Sequence, residues 1–350
     1  MKIAVDAMGG DYAPVEVVQG SVDAAKELGV KIVLVGDAAR IREELAKYNT
    51  GDLPISIQHA GEVIEMGEPP AVALRKKKDS SIVVGTKLVK DGQCDAIVSA
   101  GNTGAAMGSA LLGLGRIKGI HRPAIASLIP TIKGVTLLLD IGANAECDPQ
   151  NLVQFAVMGS IYSNKILGQA NPKVGLLNIG EEETKGKPVY LEAFKLLKQC
   201  SINFIGNIEG RDITSGVADV VVCDGFVGNI VLKFGEGLAR DLMAMIKEEL
   251  QKNIFVKIGA GLVFSQAKGL KKKIDYTEYG GAPLLGVKGI SVISHGSSKA
   301  KAIRNAIRVA KECVEVGVVD CIKESIGENV DENISENIGG NIAENPNGDD

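Results

Sequence analysis

Apolar runs of strand length recur along this chain, and a segment of helical spacing follows each one. No other feature restricts the fold as much. The runs cover 3–5, 31–35, 55–59, 96–98, 135–140, 173–178, 203–205 and 220–223, with helical patterns at 15–28, 38–47, 151–167, 189–199 and 230–251. Strands separated by helices build βαβ units. The expected fold is α/β, an open, mostly parallel sheet flanked by helices. A chain of 350 residues is long enough for one large domain of this kind or for two lobes.

Several runs end in glycine-containing loops: Asp6-Ala-Met-Gly-Gly-Asp11, Asp140-Ile-Gly-Ala-Asn144, Asn178-Ile-Gly-Glu-Glu182 and Asp224-Gly-Phe-Val-Gly-Asn229. Open α/β sheets bind ligands at the carboxyl ends of their strands, so these loops are expected to line one crevice. At 96–98 a strand runs into Ser99, Gly101, Asn102, Thr103 and Gly104, and a helix of small residues begins near Ala105. Amides at a helix start lack intrahelical partners and sit at the positive end of its dipole. Glycine lets a ligand approach the backbone closely. Phosphate suits such a turn; a plain strand-to-helix turn is the alternative. The basic run Arg75-Lys-Lys-Lys78 is either a solvated helix face or a second contact for phosphate or an acidic protein.

Three other residues stand at strand or loop ends. Lys185 lies in Gly180-Glu-Glu-Glu-Thr-Lys-Gly-Lys187, just past a strand. It reads as a surface lysine or as a charge reaching the crevice, opposite phosphate or an oxyanion. Asn229 reads as a helix cap or as an amide donor to a reacting carbonyl oxygen. His295, in Ser294-His-Gly-Ser-Ser298, borders the same region.

Composition removes several classes. Aromatics make up 4% of the chain and Trp is absent, which disfavours base stacking and a nucleic-acid partner. The net charge is −4, but the eight acidic residues after Lys323 have no basic counterpart, so the preceding residues carry +4. That balance suits an acidic partner or an anionic substrate. The six cysteines form no C-x-x-C pair and read as small core residues in a reducing compartment. No signal-peptide layout or membrane-spanning run is present in the sequence, and a cytoplasmic location is expected. The three histidines lack metal spacing and there is no P-loop, so neither metal nor cofactor is expected.

Residues from about 230 to 275 read as a helical hairpin with an apolar tip and a basic run at 268–273. It reads as packed on a partner subunit with solvated lysines, or as touching an anionic membrane surface. The two are compatible if the hairpin projects from a dimer. Residues 325–350, with their Glu-Asn-Ile repeat, read as a disordered acidic tail after a domain spanning 1–324.

Together the motifs closely resemble the bacterial phosphate acyltransferases of phospholipid synthesis. Besides the stretches at 5–11, 99–104, 139–144 and 224–229, the matching pieces are Gly115-Arg-Ile-Lys-Gly-Ile120 with Arg122-Pro123, Asn203-Phe-Ile-Gly-Asn207, Tyr279-Gly-Gly281 and His295-Gly-Ser-Ser298. The resemblance implies a fold like that of the isocitrate and isopropylmalate dehydrogenases and the phosphotransacetylases, usually as a homodimer. It implies transfer of a fatty acyl group from acyl-carrier protein to inorganic phosphate, without metal or nucleotide, at the cytoplasmic membrane face. It makes Lys185 and Asn229 the catalytic residues. The substrate-binding candidates are Ser99, Gly101, Asn102, Thr103, Gly104, Asp224 and His295. An acidic carrier protein would meet either the run 75–78 or the lysines of 268–273. Three rivals belong to other classes: a dehydrogenase on a related fold, a phosphotransacetylase using coenzyme A thioesters, and a membrane scaffold without activity.

Overall fold

The computed structural model describes residues 1–251 and 278–330. The described strands are β1 (Lys2–Asp6), β2 (Lys31–Gly36), β3 (Ile55–His59), β4 (Ala96–Ser99), β5 (Ala124–Thr131), β6 (Gly134–Leu139), β7 (Val174–Leu177), β8 (Phe204–Ile208), β9 (Val220–Val222), β10 (Ala282–Leu285) and β11 (Ile290–Ile293). The helices are α1 (Val15–Leu28), α2 (Ala38–Leu45), α3 (Pro70–Lys76), α4 (Ser81–Lys90), α5 (Thr103–Gly113), α6 (Pro149–Leu167), α7 (Pro188–Leu197), α8 (Gly210–Ser215), α9 (Gly225–Gln251), α10 (Ala300–Val316) and α11 (Val318–Val330). The strands form a single sheet in the order β3-β2-β1-β4-β11-β10-β5-β6-β9-β7-β8.

The sheet has two parallel blocks. β3, β2, β1, β4 and β11 are mutually parallel, and so are β6, β9, β7 and β8. Between the blocks lie three antiparallel pairings: β11 with β10, β10 with β5, and β5 with β6. An odd number of reversals sets the two blocks in opposite senses. The expected mostly parallel sheet is present, and each of the eight expected runs contains a strand. The strand-end loops fall into two groups, one per block.

Both faces of the sheet are buried, which explains why its strands read as continuous apolar runs. Alternate residues serve opposite faces, as strand geometry requires. Ile3, Val5, Leu137 and Leu139 join one core, and Ala4, Ile97 and Leu138 join the other. On the first face α1 packs along α10, and the Glu16 carboxylate accepts a hydrogen bond from Ala300 N at 2.7 Å. That bond satisfies one of the free amides at the start of α10.

The described part of the expected hairpin is α9; its tip and the lysines of 268–273 lie outside the described residues. α11 continues to Val330, past the expected end of the domain at 324, and residues 331–350 lie outside the described residues. No described helix is long and apolar enough to cross a membrane.

Candidate active site

The first loop group follows β1, β4 and β11. Asp6, at the end of β1, is buried. It accepts hydrogen bonds from Ser99 Oγ at 2.7 Å and from Met8 N at 3.2 Å. Burial raises the Asp6 carboxyl above its ordinary range, against these donors. Gly101 N donates to Ser99 Oγ at 3.1 Å. The loop after β11 is tied in by Ser294 N to Ser99 O and by Asp11 N to Gly296 O, both 2.8 Å. These bonds lock the three strand ends together.

The turn at 99–104 divides its residues between structure and exposure. Asn102 caps α5, its Oδ1 accepting from Ala105 N at 3.0 Å. Its amide nitrogen donates to the carbonyls of Met66 at 3.0 Å, Glu68 at 3.1 Å and Glu65 at 3.3 Å. Ser99 and Asn102 therefore have their side chains occupied inside the protein. Thr103 is exposed, while Gly104 is half-buried with Pro70 packed against it. The basic run 75–78 is also divided. Lys77 pairs with Glu68 and donates to Val63 O at 2.7 Å, while Arg75, Lys76 and Lys78 are exposed.

The second group follows β6, β9 and β7. Asp140 is fully buried and organises its loop. Oδ1 accepts from Ile125 N at 3.0 Å, Gly142 N at 3.2 Å and Ala143 N at 3.0 Å. Oδ2 accepts from Asn144 N at 2.7 Å and Asn144 Nδ2 at 2.9 Å. Burial still raises this carboxyl above the usual range. α9 then starts against the same loop. Gly225 N donates to Asn144 O at 2.7 Å, and a Cβ on Gly228 would overlap the Asp140 carbonyl.

Asp224 caps α9, its Oδ1 accepting from Val227 N at 2.8 Å. Asn229 is therefore not the cap; it stands inside the helix, exposed, with its Cβ 3.8 Å from where a Cβ on Gly142 would lie. Asp224 Oδ2 accepts from Tyr190 Oη at 2.6 Å. Burial and this carboxylate push the Tyr190 hydroxyl well up, so it stays a donor. Tyr190 belongs to α7, the helix that follows the Lys185 loop. That loop is closed by Asn178 Nδ2 to Lys185 O at 3.0 Å and by Asn207 Nδ2 to Glu182 O at 2.9 Å. Gly186 has φ +103° with the Asn178 amide packed against it, a place for glycine alone. Lys185 is exposed, and its ammonium pairs with no carboxylate among the described residues. The helix that follows the Lys185 loop is thus tied, through Tyr190 and Asp224, to the start of the helix that carries Asn229.

One contact joins the two groups. Lys233, in α9, brings its Nζ to 3.0 Å from Nε2 of His295. Neither Lys233 nor Tyr190 is among the residues expected from sequence. Lys233 had a signal, since it lies four residues after Asn229 and so on the same helix face. Tyr190 had none, because nothing local marks its partner in a distant strand end.

Two cysteines lie beside the second group: Cys147, its Sγ 3.8 Å from Asn144 O, and Cys223, its Sγ 3.6 Å from Asp140 O. Burial, with Asp140 and Asp224 nearby, pushes the Cys147 thiol up to about 12 and the Cys223 thiol well up. Such thiols are poor nucleophiles. Among the described residues, no group of three or more His, Cys, Asp or Glu side chains is arranged to hold a metal ion.

Residues 1–321 match the profile of the "Fatty acid synthesis protein" family. The phosphate acyltransferase of Pelotomaculum thermopropionicum is 59% identical over 323 residues, covering 92% of this chain and 94% of that protein. The phosphate acyltransferase of Heliobacterium modesticaldum is 57% identical, covering 92% of this chain and 97% of its own. Among solved structures, a phosphotransacetylase from Streptococcus pyogenes superposes with a TM-score of 0.57 at 20% identity, covering 92% of this chain and 94% of the other. A branched-chain phosphotransacylase from Enterococcus faecalis gives a TM-score of 0.56 at 15% identity, covering 89% and 99%. These two likenesses establish the fold.

Proposed function

The chain belongs to the fatty acid synthesis protein family, with phosphate acyltransferases as close relatives, and we propose that it moves a fatty acyl group from acyl-carrier protein to inorganic phosphate. The product is an acyl phosphate for phosphatidic acid and phospholipid synthesis. The near full-length match to phosphate acyltransferases carries this reading. The site geometry supports the following division of tasks.

Inorganic phosphate is substantially dianionic near neutral pH, so a strong general base is not required. An oxygen of phosphate attacks the thioester carbonyl carbon, the carbon–sulfur bond breaks, and the carrier thiol leaves with a proton from solvent. The harder tasks are bringing two anions together and stabilising the carbonyl oxygen as it gains charge. The start of α5, where Thr103 is exposed, suits phosphate. The unpaired ammonium of Lys185 offsets charge, and the Asn229 amide donates to the carbonyl oxygen. Asp224 and the side chains of Ser99 and Asn102 hold this arrangement in place. The raised thiol of Cys147 supports direct attack over an acyl-enzyme. In the same reading the chain works as a homodimer at the cytoplasmic membrane face, through the apolar and basic segment that follows α9.

Two measurements test the chemistry. A radiolabelled acyl group should not remain on the protein when phosphate is withheld; a covalent acyl-protein would contradict direct attack. Lys185→Ala and Asn229→Ala should each lower turnover by on the order of 100-fold or more while the fold persists. Near-normal turnover in either folded variant would remove that residue's role.

A further inference from the structure

We propose that Lys233 is a phosphate-binding residue of this site, acting with His295 to hold the nucleophile across the two halves of the sheet. The inference rests on the acyl-transfer reading above. Three observations carry it. Lys233 Nζ lies 3.0 Å from His295 Nε2, and no carboxylate pairs with this ammonium among the described residues. A lysine whose neighbour is an imidazole keeps its charge uncompensated, the condition in which an anion is attracted. An ammonium has donors only, so Nε2 accepts and two donors of Lys233 remain for a ligand. On the other side of the ring, Nδ1 lies 2.7 Å from Ser297 Oγ and 3.2 Å from Ser297 N.

The second observation is register. Lys233 follows Asn229 by four residues in α9, so the two side chains share a helix face one turn apart. A phosphate held at Lys233 is thereby placed one turn from the amide assigned to the thioester oxygen. The third is attachment. The loop bearing His295 follows β11, which pairs with β4, and Ser294 N donates to Ser99 O. The Lys233–His295 pair therefore lies on the strand-end group that contains the start of α5. α9 itself is fixed at its root by Asp224 and by the close seat of Gly228 on Asp140.

The test uses the full chain and the variants Lys233→Ala, Lys233→Met and Lys233→Arg, with His295→Ala alongside. Michaelis constants are measured separately for phosphate and for acyl-carrier protein. Inorganic phosphate is also titrated calorimetrically in the absence of carrier. Lys233→Ala and Lys233→Met should raise KM for phosphate by about tenfold or more, the loss of one charge-assisted hydrogen bond. KM for the carrier should stay unchanged, and Lys233→Arg should recover part of the loss. The phosphate titration should weaken in parallel. An unchanged phosphate KM overturns the inference. So does a rise confined to the carrier KM, which would put the phosphodiester of the carrier's arm at Lys233. If the wild type makes no acyl phosphate, the reading of function fails on its own, and the phosphate titration still decides Lys233.

Discussion

Lys233 Nζ stands 3.0 Å from His295 Nε2, and through this contact a helix rooted in one parallel block reaches the strand-end loops of the other. The two blocks run in opposite senses, because three antiparallel pairings separate them. Their carboxyl ends therefore do not form one row. α9 supplies the connection, with Asn229 seated over Gly142 at the end of β6 and Lys233 over the loop after β11.

Tyr190 links the Lys185 loop to the cap of α9. Tyr190→Phe removes a donor to the Asp224 carboxylate, so a loss of roughly 1.5–3 kcal/mol is expected in urea unfolding. Turnover should fall with little change in either KM, since the variant loosens the placement of Asn229 and not substrate binding. A stability loss with unaltered kcat would separate Asp224 from the site.

Asn102 and Thr103 should behave differently. Asn102→Ala loses the α5 cap, worth about 0.5–2 kcal/mol, and the tie to the carbonyls of Met66 and Glu68. Thr103→Val should leave the melting temperature within a degree or two, as exposed substitutions usually do, and raise KM for phosphate. A phosphate KM untouched by Thr103→Val would place the anion away from the helix start.

Asp6 and Asp140 give stability a definite pH dependence. Both carboxyls are raised by burial, so the folded chain holds their protons more tightly than the unfolded chain does. Their contribution is full below the ordinary carboxylate range and is lost as pH rises through the raised values. Asp6→Asn should flatten part of that decline when urea midpoints are compared from about pH 4 to about pH 8. An identical pH slope in wild type and variant would show that Asp6 titrates normally.

Gly228 has no room for a side chain. Gly228→Ala must push α9 off the Asp140 carbonyl, with an expected cost of about 1–3 kcal/mol from overpacking. Asn229 and Lys233 would move with the helix, so activity should fall further than stability. Wild-type kinetics in Gly228→Ala would mean that the seat of α9 does not set the site.

Much of this fold was legible because strands buried on both faces leave continuous apolar runs, and these marked eight of the strands. β5 and β10, which reverse the sheet, contain Pro130 and Pro283, and proline breaks the strand signature. β11 reads Ile-Ser-Val-Ile, an apolar run broken by Ser291. The parallel pattern therefore did not show that the loops fall into two groups. Lys185 and Asn229 stood out as candidates from motif and strand-end position. The occupation of Ser99 and Asn102 was not, since their partners Asp6 and Met66 lie far away in sequence. Capping by Asp224 instead of Asn229 was a matter of where α9 starts, which spacing alone leaves uncertain by a turn.

The most direct measurement is product analysis on the full chain incubated with a fatty acyl-carrier-protein thioester and inorganic phosphate, beside a parallel reaction with the matching coenzyme A thioester. Acyl phosphate and free carrier protein should appear in equal amounts, only when phosphate is present, and the carrier thioester should be the better donor. An intact carrier thioester, or acyl phosphate formed from the coenzyme A thioester alone, would contradict the proposed function.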